Sequence, residues 1–181
     1  MTVLNYQLIL NEIAQTLRSV NDDTVTQFER KIIDAPSVFV SGKGRSGFVA
    51  NGFAMRLNQL GKQAHVVGES TTPSIQKGDI FLIISGSGST THLKLLAEKA
   101  KNLEAEVLLI STKRESAIGQ IADLVIELPA GTKHDVAGSD QPLGSLFEQS
   151  AQLFFDSLVI NLQEKLNVSE AAMQANHANL E

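Results

Sequence analysis

Residues 79–96 read DIFLIISGSGSTTHLKLL, and three kinds of sequence meet in this stretch. Residues 80–84 are all apolar, residues 85–90 (the Ser/Gly loop) are only serine, glycine and threonine, and a helical apolar pattern begins at Leu93. An unbroken apolar run of this length is typical of a strand buried on both faces, as in a parallel sheet covered by helices. The stretch therefore predicts a strand, a loop of small residues and a helix in succession.

The same alternation of apolar runs and helical patterns continues on both sides of this stretch. Further strands are predicted at 37–42, 63–68, 106–111 and 123–128, and helices at 48–61, 92–105 and 116–122. The runs are rich in valine, isoleucine and leucine and do not alternate with polar residues, so each strand must be covered on both faces. We therefore predict an α/β fold: a three-layer α/β/α sandwich around a five-stranded parallel sheet, wound as in flavodoxin.

Extra helices are predicted at both ends of the chain. Apolar residues such as Leu4 and Ile13 share one face of a first helix, and Asp22 or Asp23 can cap a second helix that ends at Pro36. A long polar loop at 129–142 precedes a long helix at 145–166 and a short one at 169–178. We treat residues 1–181 as one domain with N-terminal helices (1–35), an α/β core (36–142) and C-terminal helices (143–181).

Composition limits the classes of function. The chain has 181 residues, no cysteine and a formal net charge of −5. Without cysteine it can form neither disulfides nor thiolate zinc sites, and a reducing cytoplasm is the expected location. The negative charge argues against a nucleic-acid partner. The N-terminus lacks the basic region of a secretory signal, and no apolar run reaches the roughly 18 residues of a membrane span, so we expect no membrane association.

The Ser/Gly loop contains more small residues than a turn requires. One serine or threonine is enough to cap a helix. A loop between a strand and a helix lies at the carboxyl edge of a parallel sheet, where α/β proteins bind ligands. Gly86 would let the backbone approach a ligand closely, and the helix N-terminus would attract negative charge. Hydroxyl donors would come from Ser85, Ser87, Ser89 and Thr90. We therefore interpret this loop as a phosphate-binding site.

A second glycine-rich loop, GKGRSG at 42–47, also follows a strand and precedes a helix. It matches the G-x-G-x-x-G fingerprint of dinucleotide-binding proteins, and Glu69 lies near the end of the next strand, where such proteins bind ribose. That alternative gives the Ser/Gly loop no function and leaves little chain for a substrate domain. Two polar loops at one edge of a sheet suit a small phosphorylated molecule better.

Five segments of the sequence resemble one known family. They are SGSGST (85–90), GKGRSGFVANGFAMRLNQLG (42–61), VVGESTTPSIQKGD (66–79), PLGSLFEQSAQLFFD (142–156) and HANLE (177–181). Together they resemble the 6-phospho-3-hexuloisomerase branch of the sugar isomerase (SIS) family. The Ser/Gly loop alone is common to the wider family, whereas the combination of GRSG, GESTTP and HANLE is much more specific to that branch.

The resemblance implies an enzyme that moves the carbonyl of a 3-hexulose 6-phosphate from C3 to C2. The product is fructose 6-phosphate, formed through a cis-enediol in the ribulose monophosphate pathway of formaldehyde fixation. It also implies that neither a metal nor another cofactor is needed, and that the enzyme is a homotetramer. The alternative is a module that binds or senses a phosphosugar without converting it. Such sensors usually carry a DNA-binding domain, and the first 36 residues show no basic helix-turn-helix pattern.

The resemblance assigns substrate binding to hydroxyl groups. Ser85, Ser87 and Thr90 match the phosphate-binding positions of the family's S-x-S-x-x-T pattern, with the backbone N–H groups of the same loop. Ser89 occupies a variable position of that pattern. Ser46, in the first glycine loop, matches a sugar-contacting hydroxyl of related isomerases.

The remaining candidates are two charged side chains, two threonines and a histidine. Arg45 either contacts the phosphate or an enediolate oxygen, or forms a surface ion pair. Thr71 and Thr72 are expected to line the same crevice, although an ordinary turn is an equal alternative. Glu148 matches the family's catalytic base, and its alternative role is to complement the helix dipole. His177 is expected to reach an active site. The resemblance implies that this site belongs to a neighbouring subunit.

The terminal helices also predict self-association. The long helix carries Phe147, Phe154 and Phe155, and the first helix carries Leu8 and Leu10. Since the helices between the strands can cover the sheet, this apolar surface is expected to remain exposed in a monomer and to be buried between subunits. Closed symmetry favours a dimer or a dimer of dimers.

Overall fold

The computed structural model describes residues 5–131 and 139–180. Its five strands are β1 (Ser37–Gly42), β2 (Gln63–Val66), β3 (Ile80–Ile84), β4 (Glu106–Ser111) and β5 (Leu124–Glu127). All neighbouring strands pair in parallel, in the order β2-β1-β3-β4-β5. The predicted five-stranded parallel sheet and its flavodoxin-like order are confirmed.

Six helices accompany the sheet in these described ranges. They are α1 (Tyr6–Arg18), α2 (Asp22–Asp34), α3 (Arg45–Gln59), α4 (Thr91–Asn102), α5 (Ser145–Lys165) and α6 (Glu170–Ala175). No described helix is both long and apolar enough to cross a membrane. Leu4 of the predicted first helix and residues 132–138 of the predicted long loop lie outside the described residues.

The strands divide their side chains between two hydrophobic cores. In β3, Ile80, Leu82 and Ile84 belong to the core formed with α2, α3 and α5. Phe81 and Ile83 belong to the core formed with α4. All five side chains are buried, which is why the strand is a continuous apolar run in sequence. The predicted three-layer sandwich is therefore confirmed.

Helix α5 is fixed against the rest of the molecule by an aromatic stack and a buried carboxylate. The ring of Phe155 stacks on Phe53 of α3 with their centroids 4.1 Å apart. Near the end of α5, the buried Glu29 of α2 accepts a 2.7 Å hydrogen bond from Asn161 and forms an ion pair with Lys165. A buried carboxylate is stable only with such partners. These contacts fix the middle and the C-terminal end of α5 against α3 and α2.

Strand β2 forms one edge of the sheet. The side-chain amide of Asn58 in α3 donates to the carbonyl of Ala64 at 2.9 Å and accepts from its N–H at 3.0 Å. Further along β2, the carbonyl of Val66 accepts from the Thr72 hydroxyl at 2.5 Å and from the Glu69 N–H at 3.3 Å. Backbone groups that an edge strand usually leaves open are therefore occupied by the chain itself.

The predicted cap of the second helix is wrong by one or two residues. The side chain of Asn21 accepts a 2.9 Å hydrogen bond from the N–H of Thr24 and so caps α2. Asp22 and Asp23 instead lie in the first turn, where their charges complement the helix dipole.

Residues 116–122 form turns rather than the predicted short helix. The N–H of Ile118 donates to the carbonyl of Gly88 at 2.8 Å, and the N–H of Gly119 donates to the Ser116 hydroxyl at 3.0 Å. The N–H of Gln120 also donates to the carbonyl of Ser116 at 3.0 Å, and that of Ala122 to the carbonyl of Ile118 at 2.9 Å, so the segment makes helix-like turns that do not continue into a helix. The segment braces the Ser/Gly loop instead.

The apolar surface differs from the prediction. Phe147, Phe154 and Phe155 are all buried within the subunit, because α5 turns its aromatic face toward α3 and the sheet. Leu8 and Leu10 of α1 are exposed as predicted, and large apolar side chains are also exposed at Phe48 of α3 (75%) and Ile160 of α5 (69%). Apolar surface available for association therefore lies on the outer faces of α1, α3 and α5.

Candidate active site

A cleft of about 320 Å³ opens at the carboxyl edge of the sheet, where β1 and β3 end and α5 begins. We call it the first cleft. It is lined by Lys43, Arg45, Ser46, Ile84, Ser85, Gly86, Ser87, Thr90, Leu93, Gly131, Leu143, Gly144, Phe147 and Glu148. Because β1 and β3 are neighbours in a parallel sheet, the two glycine-rich loops that follow them line the same cleft.

The Ser/Gly loop is anchored to the end of β4 through one carbonyl. The carbonyl of Gly86 accepts from the Ser111 hydroxyl at 3.1 Å and from both the hydroxyl and the N–H of Thr112, at 2.8 and 3.1 Å. In a trans peptide the carbonyl and the following N–H point in opposite directions. The N–H of Ser87 is therefore directed away from β4, as a loop that binds an anion through its backbone requires.

Two glycines of this loop occupy positions that a side chain would disturb. Gly88 has a φ of +60°, and a Cβ there would lie 2.2 Å from the hydroxyl oxygen of Ser116. A Cβ at Gly86 would lie 3.2 Å from the ring of Phe147, the residue before Glu148. The glycines therefore let the loop fit between the turn at 116–122 and the start of α5.

Three helices begin at this cleft, and none of them has a side-chain cap. The N-cap positions are Gly44 for α3, Thr90 for α4 and Gly144 for α5, and none makes a side-chain capping hydrogen bond. The first N–H groups of a helix have no partner within the helix and carry its positive partial charge. Three such N-termini around one cleft favour a negatively charged ligand.

Glu148 lies in the first turn of α5, and its side chain is 18% exposed. Burial raises the pKa of its carboxyl, and the positive charge of Arg45 offsets part of that effect. A carboxylate with a raised pKa accepts a proton more readily than an ordinary one, as a general base requires.

Arg45 begins α3 and joins it to the start of α5. Its Nε lies 3.0 Å from Oε2 of Glu148, and its Nη1 donates to the Ser145 hydroxyl at 2.9 Å. Of the two alternatives for Arg45, the structure therefore contains the ion pair. Its partner is the candidate base, Glu148. Arg45 orients the Glu148 carboxylate and holds it at the cleft.

Most of the predicted site residues meet in the first cleft. They are Arg45, Ser46, Ser85, Gly86, Ser87, Thr90 and Glu148. Ser89 is exposed and does not line the cleft, and its hydroxyl donates to the carbonyl of Ser87 at 2.8 Å. The other seven lining residues were not predicted from the sequence, among them Lys43 and Leu143. The position of Lys43 in the first glycine loop was the available signal.

Thr71 and Thr72 lie in a second cleft, of about 550 Å³, beside β2 and α3. The expectation that they line the same crevice as the Ser/Gly loop is wrong within one subunit. The chain turns back after β2, and the Thr72 hydroxyl is used by the Val66 carbonyl. Glu69 also lines the second cleft, so the acid of the dinucleotide alternative is not beside the GKGRSG loop in the first cleft.

His177 lines the second cleft as well. The neighbouring Asn176 donates to the carbonyl of Gln59 at 3.1 Å. Gln59 ends α3, about 20 Å along the helix from Arg45 at about 1.5 Å per residue. His177 and Glu148 of one subunit are therefore in different clefts. Across residues 5–131 and 139–180, no group of three histidine, aspartate or glutamate side chains is placed to hold a metal ion.

The first cleft combines a glycine-rich anion loop with a half-buried carboxylate at one edge of the sheet. A comparison of the sequence with models of protein families agrees with this arrangement. The family model described as "SIS domain" matches residues 31–160. The chain belongs to the SIS family. The resemblance drawn from the sequence motifs is thereby confirmed at the family level.

Several SIS proteins match this chain over nearly its whole length. The 3-hexulose-6-phosphate isomerase of Bacillus subtilis (strain 168) is 42% identical over 176 residues, covering 96% of this chain and 95% of that protein. The 3-hexulose-6-phosphate isomerase of Methylomonas aminofaciens is 40% identical, covering 93% and 96%. A crystal structure of a hypothetical protein from Methanococcus jannaschii, from which a molecular function of 3-hexulose-6-phosphate isomerase was inferred, is 33% identical with a TM-score of 0.85, covering 98% and 99%.

Proposed function

We propose that this chain is a 3-hexulose-6-phosphate isomerase. The observation that carries the proposal is the position of Glu148, a carboxylate with a raised pKa in the same cleft as the Ser/Gly loop. A protein that only senses a phosphosugar needs the loop and has no use for a base. The named isomerases that match 93–96% of the chain support the same conclusion.

The Ser/Gly loop binds the phosphate of the substrate. Ser85, Ser87 and Thr90 donate from their hydroxyls, and the first N–H groups of α4 complete the site. The lack of a cap at Thr90 supports this role, since its hydroxyl is not committed to the helix. A phosphate held here fixes the sugar by its C6 end, so that C2 and C3 can be placed near Glu148.

Glu148 moves one proton between adjacent carbons. It removes the proton from C2 while the C3 carbonyl oxygen gains a proton, which gives the cis-enediol. It then returns its proton to C3 while the hydroxyl on C2 loses one, which leaves the carbonyl at C2. Arg45 and Ser46, beside Glu148 in the cleft, stabilise the developing charge on the two oxygens. The chemistry uses protein groups alone and requires no metal or other cofactor.

His177 acts in the first cleft of a neighbouring subunit. The distance between the two clefts within one chain supports this, because it prevents His177 from reaching its own Glu148. The assembly is a homotetramer or a dimer, and the exposed Phe48 and Ile160 support burial of the outer faces of α3 and α5. Thr71 and Thr72, in the second cleft, then approach a neighbour's substrate as well.

Subunit mixing tests this placement of His177. Glu148→Gln and His177→Ala, each inactive alone, are combined under conditions that allow exchange, with exchange verified by mass. Activity should reappear, because some mixed sites contain both wild-type groups. Verified exchange without recovered activity would mean that His177 serves its own subunit or has no catalytic role.

The remaining assignments belong to the same proposal. The protein is a single domain of residues 1–181, divided at 35 and 142 as the sequence suggests. It is cytoplasmic and acts on a small sugar phosphate, without a nucleic-acid or membrane partner. Its reaction serves the ribulose monophosphate pathway of formaldehyde fixation.

A coupled assay tests the function directly. The protein is supplied with 3-hexulose 6-phosphate, and fructose 6-phosphate is detected through glucose-6-phosphate isomerase and a dehydrogenase. Turnover that Glu148→Gln abolishes supports the proposal. Binding of fructose 6-phosphate without any turnover by the wild-type protein would instead identify a sensing module.

A further inference from the structure

Helix α1 holds both ends of the connection between β5 and α5. The hydroxyl of Thr16 donates to the carbonyl of Pro129 at 3.1 Å, on the β5 side. One turn earlier on the same face of α1, the carboxylate of Glu12 accepts hydrogen bonds from residues 139–141, on the α5 side. One helix face therefore fixes two segments that approach the first cleft from opposite directions in the chain.

Glu12 accepts three hydrogen bonds from residues 139–141, the segment that leads into α5. It accepts from the Ser139 hydroxyl at 3.0 Å, from the Asp140 N–H at 2.8 Å and from the Gln141 side chain at 2.8 Å. Burial alone would raise the pKa of Glu12, but the bonds from Asp140, Gln141 and Ser139 outweigh it and lower the pKa. The carboxylate is therefore charged at neutral pH, and its hydrogen bonds are of the stronger, charge-assisted kind.

The segment held by Glu12 leads directly into the wall of the first cleft. Leu143 lines the cleft, is 77% exposed and has a φ of +61°. A non-glycine residue in this left-handed region is strained and stays there only when its surroundings hold it. Gly144 then starts α5, which carries Glu148. The strained leucine thus sits between the anchor at Glu12 and the candidate base.

We propose that Glu12 is a positioning residue for the isomerase reaction, an inference that rests on the proposed function. By fixing residues 139–141, Glu12 keeps Leu143 in place as the outer wall of the first cleft, close to Glu148. The wall limits access of water to the Glu148 carboxylate and to the enediol. Phosphate binding by the Ser/Gly loop does not depend on it, because that loop is anchored to β4.

A double-mutant cycle tests this inference in the full-length protein. Glu12→Ala and Leu143→Ala should each lower kcat about tenfold and change KM less than threefold. Because both changes remove the same wall, the double variant should be no slower than the slower single variant. Gln15→Ala is the matched control, since Gln15 is exposed on the same helix and should retain wild-type kcat and KM. Wild-type kcat in Glu12→Ala, or losses that multiply in the double variant, would overturn the inference.

Amide hydrogen exchange separates this inference from the proposed function, because it needs no turnover. Glu12→Ala should accelerate exchange in residues 139–146 while leaving the Ser/Gly loop and the strands protected. That result supports the anchoring role even if the wild-type protein converts no 3-hexulose 6-phosphate. Unchanged exchange in residues 139–146 overturns it even if the wild-type protein is active.

Discussion

The helix N-termini at the first cleft differ from those of α2 and α6. In α2 and α6, Asn21 and Ser169 accept hydrogen bonds from first-turn N–H groups. At the cleft, α3, α4 and α5 begin without a side-chain cap, although Thr90 is a residue type that caps helices well. The same chemistry therefore stabilises the fold in one region and is available to a ligand in the other. Substitutions should separate the two regions by what they change: stability in one, binding and turnover in the other.

The largest expected effect is at Glu148, an acid in the first turn of α5. Glu148→Gln should lower kcat by about 10²–10⁴-fold, the usual contribution of a general base, with little change in KM. Asp23→Asn is the matched control, since Asp23 is also a first-turn acid but lies in the capped helix α2. If both variants keep wild-type kcat in the coupled assay, Glu148 only complements the dipole of its helix.

Changes at two N-cap residues should affect different quantities: Thr90, which makes no capping hydrogen bond, should affect ligand binding, and Asn21, which makes one, should affect stability. Ser87→Ala combined with Thr90→Val should weaken binding of fructose 6-phosphate by a few kcal/mol, since each hydrogen bond to a charged group contributes roughly 1.5–3 kcal/mol. Asn21→Ala should leave binding unchanged and lower the free energy of unfolding by about 0.5–2 kcal/mol. Calorimetric titration and urea unfolding measure the two quantities. Unchanged affinity in the double variant would rule out phosphate binding at this loop.

The glycines offer a third comparison, between crowded and open positions. Gly88 and Gly68 both have positive φ, but only Gly88 would place a Cβ against a neighbour, Ser116. Gly88→Ala should lower the free energy of unfolding by about 1–3 kcal/mol and weaken phosphosugar binding, since the loop must shift. Gly68→Ala has only the backbone cost. Equal destabilisation by the two variants, with binding intact in both, would contradict the tight fit described for the loop.

The smallest expected effect is a shift in the pH dependence of kcat/KM when Arg45 is changed, which is separate from the loss of kcat that follows from losing its stabilisation of the enediolate oxygens. Its positive charge favours the ionised form of Glu148 and so lowers the pKa that burial raises. Arg45→Met removes this effect, so the pKa of Glu148 should rise and the acidic limb of the kcat/KM profile should move to higher pH. Arg30→Met is the control, because Arg30 pairs with Asp34 on the surface. A shift to lower pH, or none, would mean that Glu148 does not set this limb.

The parts of the fold that follow from local sequence were predictable. The inner strands β1, β3 and β4 have continuous apolar centres because both faces of the sheet are covered there, and the Ser/Gly loop is conspicuous between β3 and α4. Neighbouring residues that serve equally well are harder to separate: Asn21, Asp22 and Asp23 can all cap a helix. The helical pattern at 116–122 yields only turns, which a hydrogen bond from the N–H of Ile118 to the carbonyl of Gly88 joins to the Ser/Gly loop.

Contacts between distant segments were not predictable. Arg45 and Ser145 are 100 residues apart and meet only because α3 and α5 pack on the same face of the sheet. The placement of Thr71, Thr72 and His177 in the second cleft, away from Glu148, likewise depends on how distant segments pack. Nothing in the motif that contains Thr72 indicates that its hydroxyl would be needed by the backbone of β2.

The hydrogen bonds of the Asn58 side chain to β2 limit how copies of this protein can associate. Many oligomers and filaments grow when the outermost strand of one sheet accepts a strand from the next molecule. At β2 that route is blocked, since Ala64 already exchanges both of its backbone hydrogen bonds with Asn58. A continuous sheet across two molecules cannot form there without first breaking these bonds. Copies that associate on this side must do so through side chains, which makes the contact specific to this sequence rather than generic to exposed strands.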